Sequence, residues 1–156
     1  MIIVSAGFKE LPVKRLLFAI VLLALASCTT NPAQRDADRL ALYSAHAGEP
    51  VSSFRYFGSL NGWTPLGDDA VALWTRPNQA YLVSFKGRCP DLDFASAISV
   101  SSQFNTVYQN FDKVTPLSRG GTPIPCYIRE IRPLDVKAIR QAERDMRSDA
   151  QVSERP

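Results

Sequence analysis

The chain has few of the histidine and cysteine residues on which many catalytic and metal-binding sites depend. Its single histidine, His46, lies near the N-terminal side of the segment that carries most strand-forming residues. A catalytic triad or dyad would have to recruit it from outside the expected core. The three cysteines contain no Cys-x-x-Cys spacing, and two cysteines without histidines do not make a zinc site. We therefore expect no metal site and no cofactor.

The sequence also lacks an apolar run long enough to span a bilayer in its leader region. The run Leu16–Leu25 has ten residues, whereas a membrane-spanning helix needs about 20. It follows Lys14 and Arg15 and is typical of the apolar region of a signal peptide. Residues 1–12 are atypical of such a leader, so we expect Val13 to be the initiator, with Met1 as the alternative.

The run ends in Leu25-Ala26-Ser27-Cys28, which resembles the lipobox of bacterial lipoproteins. The resemblance implies that residues 1–27 are a signal peptide and that the Cys28 thiol carries the lipid. Because two or more acyl chains anchor firmly, the membrane is an expected partner. Thr29, in place of an aspartate, favours the outer membrane, with the domain facing the periplasm. The alternative is an ordinary secretory signal with a chance cysteine.

Net charge gives no sign of a nucleic-acid partner. Lys9, Lys14 and Arg15 against Glu10 place +2 of the total charge of +3 in the leader, so about +1 remains in the mature part. A strongly basic surface, the usual footprint of nucleic-acid binding, is therefore not indicated.

Cys89 and Cys126 remain once Cys28 is used by the lipid. In an oxidising compartment two remaining thiols have one possible pairing, and we predict a structural disulfide. A redox site or a metal site is the alternative, but the spacing motifs of both are missing.

The mature chain is predicted to form one α+β domain over residues 51–140, with a small antiparallel sheet that can curl into a partial barrel and short flanking helices. The Asn61-Gly62 dipeptide predicts a hairpin turn, and Pro65 indicates an edge or a bulge. Strands are expected at 54–57, 63–66, 70–75, 80–85, 104–108, 111–116 and 126–131. A short helix is expected from Cys89, with these residues facing inward: Leu92, Phe94, Ala95 and Ile98.

Two longer helices are expected on either side of the strands. The first begins after Asn31-Pro32 and ends before Gly48. Its apolar stripe is poor, so residues 28–50 are interpreted as lipid anchor and tether. The second begins at Asp135, and residues 141–156 are expected to hold its end and a polar disordered tail starting at Ser148.

Four segments together resemble a family of small Gram-negative lipoproteins classified as a domain of unknown function, DUF6491. They are Phe57–Trp63, the hairpin from Leu73 to Leu82, Gly87–Pro90 and Cys126–Pro133. The resemblance covers most of residues 50–136 and implies the order of the strands and the two cysteines, but no activity.

Candidate binding residues are aromatic or acidic. Trp63, Trp74 and Tyr81 could form a platform for a glycan or a peptide, with Trp74 and Tyr81 facing each other across the hairpin; the alternative is packing within the sheet. The carboxylate pairs Asp68-Asp69 and Asp91/Asp93 could do acid–base work or bind Ca²⁺, although turns and helix starts favour aspartate there.

These observations predict an outer-membrane-anchored protein that is a non-catalytic envelope binding or structural module, with a protein or glycan partner. The alternative is an envelope hydrolase or transferase that uses carboxylates. A ligand-sized pocket lined by two convergent carboxylates would favour the alternative.

Overall fold

A computed structural model of the chain describes residues 31–118, 120 and 122–153. Residues from Pro32 onward belong to one compact unit. Its helices and strands are α1 Pro32–Ala45, β1 Ser53–Arg55, β2 Gly62–Pro65, β3 Ala70–Arg76, β4 Gln79–Phe85, β5 Ala97–Val100, β6 Thr106–Tyr108, β7 Lys113–Leu117, β8 Cys126–Leu134 and α2 Val136–Ser153.

The strands form two antiparallel sheets. Six of them lie in the order β2-β3-β4-β8-β7-β5 and curl into a half-barrel, and β1 pairs with β6 in a two-stranded ribbon. Two helices flank this assembly. The predicted α+β class with one curled antiparallel sheet is confirmed.

The central hairpin β3–β4 is buried on both faces. Val71, Leu73 and Val83 enter the cluster inside the curled sheet, which also contains β1 and β6 residues. Ala72 and Leu82 point to the other face and pack under the helices. Because alternate side chains of a strand point to opposite faces, burial of both faces explains the almost continuous apolar sequence of β3.

Helix α1 packs on the second face of the sheet. Tyr43 is buried and its hydroxyl donates a hydrogen bond to Glu143 Oε1 of α2 at 3.4 Å. Leu40 packs against the same cluster. Helix α1 therefore belongs to the folded unit, and the interpretation of residues 28–50 as a tether outside the domain does not hold for α1.

The second helix begins where the sequence predicts. Asp135 caps it, because its Oδ1 accepts the amide of Ala138 at 3.0 Å. The helix then continues to Ser153, so residues 148–153 are helical where a disordered tail was expected. No helix among the described residues is long and apolar enough to cross a bilayer.

Cys89 and Cys126 form a disulfide, with their Cα atoms 5.4 Å apart. Both residues lie in the core cluster inside the curled sheet. The bond ties the segment after β4 to the start of β8, and the predicted pairing is confirmed.

The hairpin predicted at Asn61-Gly62 is wrong. The Asn61 amide donates to the carbonyl of Trp74 at 2.7 Å, and β2 pairs with β3. Strand β1 instead pairs with β6, where Phe54 lies opposite Val107. Pairing of β1 with β6, which is distant in sequence, is favoured because it encloses Phe54 in the core.

The short helix predicted after Cys89 is also corrected. Leu92 is buried as expected, but the side chain of Phe94 is 84% exposed and Ile98 lies on strand β5. The last strand, expected at 126–131, continues further, because Arg132 and Pro133 are paired with β4 as part of β8.

Candidate functional site

The structure does not bring the three predicted aromatic residues to one surface. Trp63 and Tyr81 both lie opposite Leu73 in their ladders, whereas Trp74 lies opposite Ala80. Since cross-strand partners share a face, Trp63 and Tyr81 are on one face of the sheet and Trp74 is on the other. The expectation that Trp74 and Tyr81 face each other is therefore wrong.

Each of these aromatic side chains is engaged inside the fold. Trp74 Nε1 donates to Thr64 Oγ1 at 3.0 Å, and Arg140 of α2 lies 5.9 Å from the centre of its ring. The ring of Tyr81 stacks on Phe54. Trp63 packs against the core cluster inside the curled sheet. Packing therefore accounts for all three, as the alternative interpretation held.

The predicted carboxylate pairs, by contrast, contribute to one site. A groove of about 430 Å³ lies beside the first turns of α1, and we call it the acidic groove. Apolar residues contribute part of its lining, including Leu40, Leu66 and Phe94, and four aspartates line it as well. These are Asp36, Asp68, Asp69 and Asp93, with Arg88 beside them.

Local backbone geometry brings these residues together. Gly67 adopts a φ of +75° in the β2–β3 turn, and a Cβ at this position would lie 3.4 Å from the Cβ of Asp36. The backbone oxygen of Asp68 accepts the amide of Cys89 at 2.7 Å, which draws the segment after β4 to this turn. Asp91, at a φ of 64°, then turns the chain toward Asp93. Sequence reasoning named Asp68, Asp69 and Asp93 but missed Asp36, which looks like any exposed helix residue; Asp91, the other member of the second pair, is not part of the lining.

The charges in the groove interact. Arg88 forms an ion pair with Asp68, and its Nε lies 3.1 Å from Asp68 Oδ2. Burial raises the pKa of Asp93 above its ordinary value, and the negative charges of Asp36 and Asp68 raise it further. Arg39 opposes this rise in the pKa. The groove thus disfavours the charged form of Asp93, which a bound cation would stabilise.

The histidine and the two cysteines within the described residues lie in structural positions. In the described ranges, no three His, Cys, Asp or Glu side chains are placed to hold a metal ion. His46 follows the end of α1, where its backbone oxygen accepts the amide of Asp135 at 2.9 Å. Cys89 and Cys126 are buried in their disulfide. Cys28, the predicted lipid acceptor, lies outside the described residues.

The arginines near the cysteines in sequence have separate positions. Arg88 pairs with Asp68 in the acidic groove. Arg132 donates from Nε to the carbonyl of Gly48 at 2.7 Å and from Nη2 to that of Ala47 at 3.1 Å. It therefore fastens the segment after α1 to strand β8, which is a structural role.

Comparison with known protein families gives a match over most of the chain. The model of a family described as a family of unknown function (DUF6491) matches residues 12–150. No curated protein and no solved structure matches the chain.

Proposed function

The chain belongs to the DUF6491 family, and we propose that it is a lipoprotein, anchored in the outer membrane through Cys28, whose domain is a non-catalytic binding module of the envelope. Its acidic groove takes a cationic segment of an envelope partner. The observation that carries this proposal is that four aspartates line one partly apolar groove, where Asp36 and Asp68 lie close enough to Asp93 to raise its pKa.

The anchor is supported by the order of charges and apolar residues that leads to Cys28. A disulfide between Cys89 and Cys126 agrees with an oxidising compartment beyond the inner membrane. Replacing Cys28 with Ala should abolish labelling by radioactive palmitate and release the protein from the membrane fraction. If both label and membrane association survive, the anchor is refuted.

The groove suits a partner that carries both positive charge and apolar side chains. Asp68 shares its charge with Arg88, whereas neither Asp36 nor Asp93 forms a salt bridge within the part of the chain that the structure describes. A lysine or arginine of the partner would lower the repulsion around Asp93. Its apolar side chains would contact Leu40 and Phe94.

Binding can be measured with a labelled synthetic peptide of alternating lysine and leucine. We expect the Asp36→Asn/Asp93→Asn double variant to lose affinity roughly tenfold or more, because two charge-assisted contacts are removed. Asp149→Asn, on the exposed part of α2, is the matched control. Equal affinity of wild type and double variant would refute the groove as the binding site.

A carboxylate-based hydrolase is the second candidate, and one observation favours it. The carboxyl group of Asp93 lies near Asp36 and Asp68 and its pKa is raised, and a general acid needs a carboxyl group that holds its proton to a higher pH. Turnover of an envelope polymer by the purified protein, lost in Asp93→Asn and retained in Asp149→Asn, would establish this function over binding. If the domain only binds its partner, we expect no turnover by the wild type or by either variant.

A further inference from the structure

We propose that a second surface, formed by Lys86, Tyr108, Phe111, Lys113 and Tyr127, rests on the anionic phospholipid bilayer to which the chain is anchored. We call this surface the basic aromatic face. The proposal rests on the proposed lipid anchor at Cys28, and it is independent of what the acidic groove binds.

The basic aromatic face is held together by neighbouring strands. Lys113 of β7 lies opposite Tyr127 of β8 in the antiparallel ladder. The amide of Lys86 donates to the carbonyl of Tyr127 at 2.9 Å, and Lys86 Nζ donates to the carbonyl of Asn110 at 3.4 Å. Two cations and an aromatic ring therefore meet at the end of the sheet where β4 ends.

The aromatic side chains of this face are largely exposed to solvent and are not packed in the core. Tyr108 is 41% exposed, Phe111 is 65% exposed and Tyr127 is 51% exposed. Single exposed apolar residues need no explanation, but three on adjacent segments indicate a surface that meets another phase or molecule. Tyrosine in particular suits a membrane interface, because its ring is apolar and its hydroxyl is polar.

The turn between β6 and β7 exposes Phe111 and hides the one acidic residue of the segment. Asn110 adopts a φ of 64°, and its amide donates to the carbonyl of Ile128 at 2.9 Å. The next acidic side chain, Asp112, is only 2% exposed and accepts the amide of Tyr108 at 2.7 Å. The positive charges of Lys86 and Lys113 are therefore not neutralised by this carboxylate at the surface.

The position of the face in the fold points to the bilayer as its occupant. Helix α1 begins at Pro32, four residues after Cys28, and four extended residues span at most roughly 14 Å. Ala33 lines the acidic groove together with Asp69, whose carbonyl accepts the amide of Phe85 at 3.0 Å. Lys86 is the residue immediately after Phe85 in the chain. The start of α1 and the basic aromatic face thus lie at the same end of the β3–β4 hairpin.

Charge complementarity sets the orientation of the domain. Lysine side chains can extend along the interface and place their ammonium groups among lipid phosphates, and an anionic leaflet attracts them. The acidic groove lies on the α1 side of the same end, and an anionic leaflet repels it. Because the two surfaces carry opposite charge, the basic aromatic face would turn toward the lipid and the acidic groove would stay open to the periplasm.

The mature part of the chain carries an internal control for this contact. Its three lysines are Lys86 and Lys113 in the face and Lys137 on α2. The purified lipidated protein is inserted into vesicles of phosphatidylglycerol and phosphatidylethanolamine, or of phosphatidylcholine alone, and pulsed with an amine-acetylating reagent. Mass spectrometry then gives the acetylation of Lys86 and Lys113 relative to Lys137.

We expect acetylation of Lys86 and Lys113 to fall roughly threefold or more in the anionic vesicles relative to the neutral ones. The Phe111→Ser/Tyr127→Ser double variant should lose most of this protection. Val152→Ser, which removes an exposed apolar side chain from α2, is the matched control and should keep it. Circular dichroism of each variant confirms that it is folded.

Equal acetylation in both vesicles overturns the proposal. Protection that occurs in native envelopes and not in anionic vesicles also overturns it, because a protein partner would then cover the face. A protein that fails to float with any vesicle refutes the anchor at Cys28, and this result is distinguishable from a floating protein whose two lysines remain accessible.

Discussion

Phe54 of β1 and Tyr81 of β4 stack with their ring centroids 4.5 Å apart and their planes inclined by 13°. This contact joins the two-stranded ribbon to the six-stranded half-barrel, which share no ladder. Tyr81 is partly buried against the core cluster, and its hydroxyl accepts a hydrogen bond from Gln79 Nε2 at 3.1 Å. The role of Tyr81 is therefore to hold the ribbon against the sheet.

The stacked pair should show an energetic coupling. In a cycle of Phe54→Leu, Tyr81→Leu and the double variant, we expect a coupling of about 1 kcal/mol in the free energy of unfolding, measured by urea denaturation. Tyr81→Phe is the control and should stay close to wild type, because it keeps the stack. Additive effects of the two leucine substitutions would contradict the structural role.

Loss of the disulfide should destabilise the domain strongly. The Cys89→Ala/Cys126→Ala variant frees a segment with a sequence separation of 37 residues, and we expect the free energy of unfolding to fall by about 4 kcal/mol on chain-entropy grounds. Urea denaturation of oxidised wild type and variant measures this difference. Alkylation of both thiols in unreduced, denatured wild-type protein would show that the bond does not form.

The buried carboxylate of Asp112 should be necessary for the β6–β7 turn. It accepts the amide of Tyr108 at 2.7 Å and the hydroxyl of Ser101 at 2.5 Å. Asp112→Ala leaves that amide without its partner, so we expect a loss of about 3 kcal/mol in the free energy of unfolding. Ser101→Ala should cost less, and Asp149→Ala is the exposed control. An Asp112→Ala variant as stable as that control would contradict this assignment.

The raised pKa of Asp93 predicts a pH dependence with a definite sign. A carboxyl group whose pKa is higher in the folded protein stabilises the fold when it is protonated, so its contribution is lost as pH rises from the unfolded pKa through the folded one. NMR titration should show that Asp36→Asn lowers the pKa of Asp93, because it removes a negative charge. Asp149→Asn should leave the titration unchanged, and a rise in the pKa of Asp93 in Asp36→Asn would refute the coupling.

Local chemistry made several features predictable. The β3–β4 hairpin and the start of α2 at Asp135 follow from turn and cap residues that act within a few positions. The disulfide followed from counting, since Cys89 and Cys126 had no other use in an oxidising compartment. The antiparallel α+β class followed from the spacing of short strands and turns.

The pairing of strands that are distant in sequence could not be predicted from these local signals. Strand β1 could have paired with β2 through Asn61-Gly62, but burial of Phe54 against Val107 and Tyr81 selects β6. A turn preference amounts to a small free energy, and the apolar surface enclosed by a distant strand outweighs it.

The amino-acid sequence by itself determined the β3–β4 hairpin, the start of α2, which cysteines pair and which residues could carry charge or aromatic contact. Only the tertiary structure decided that Trp63 and Trp74 lie on opposite faces and that Asp36 joins Asp68 and Asp93. The physical reason is that β3 and β4 are buried on both faces, so the alternation that normally reveals the inner face is absent. Side chains from separate elements meet only when helix α1 packs on the completed sheet.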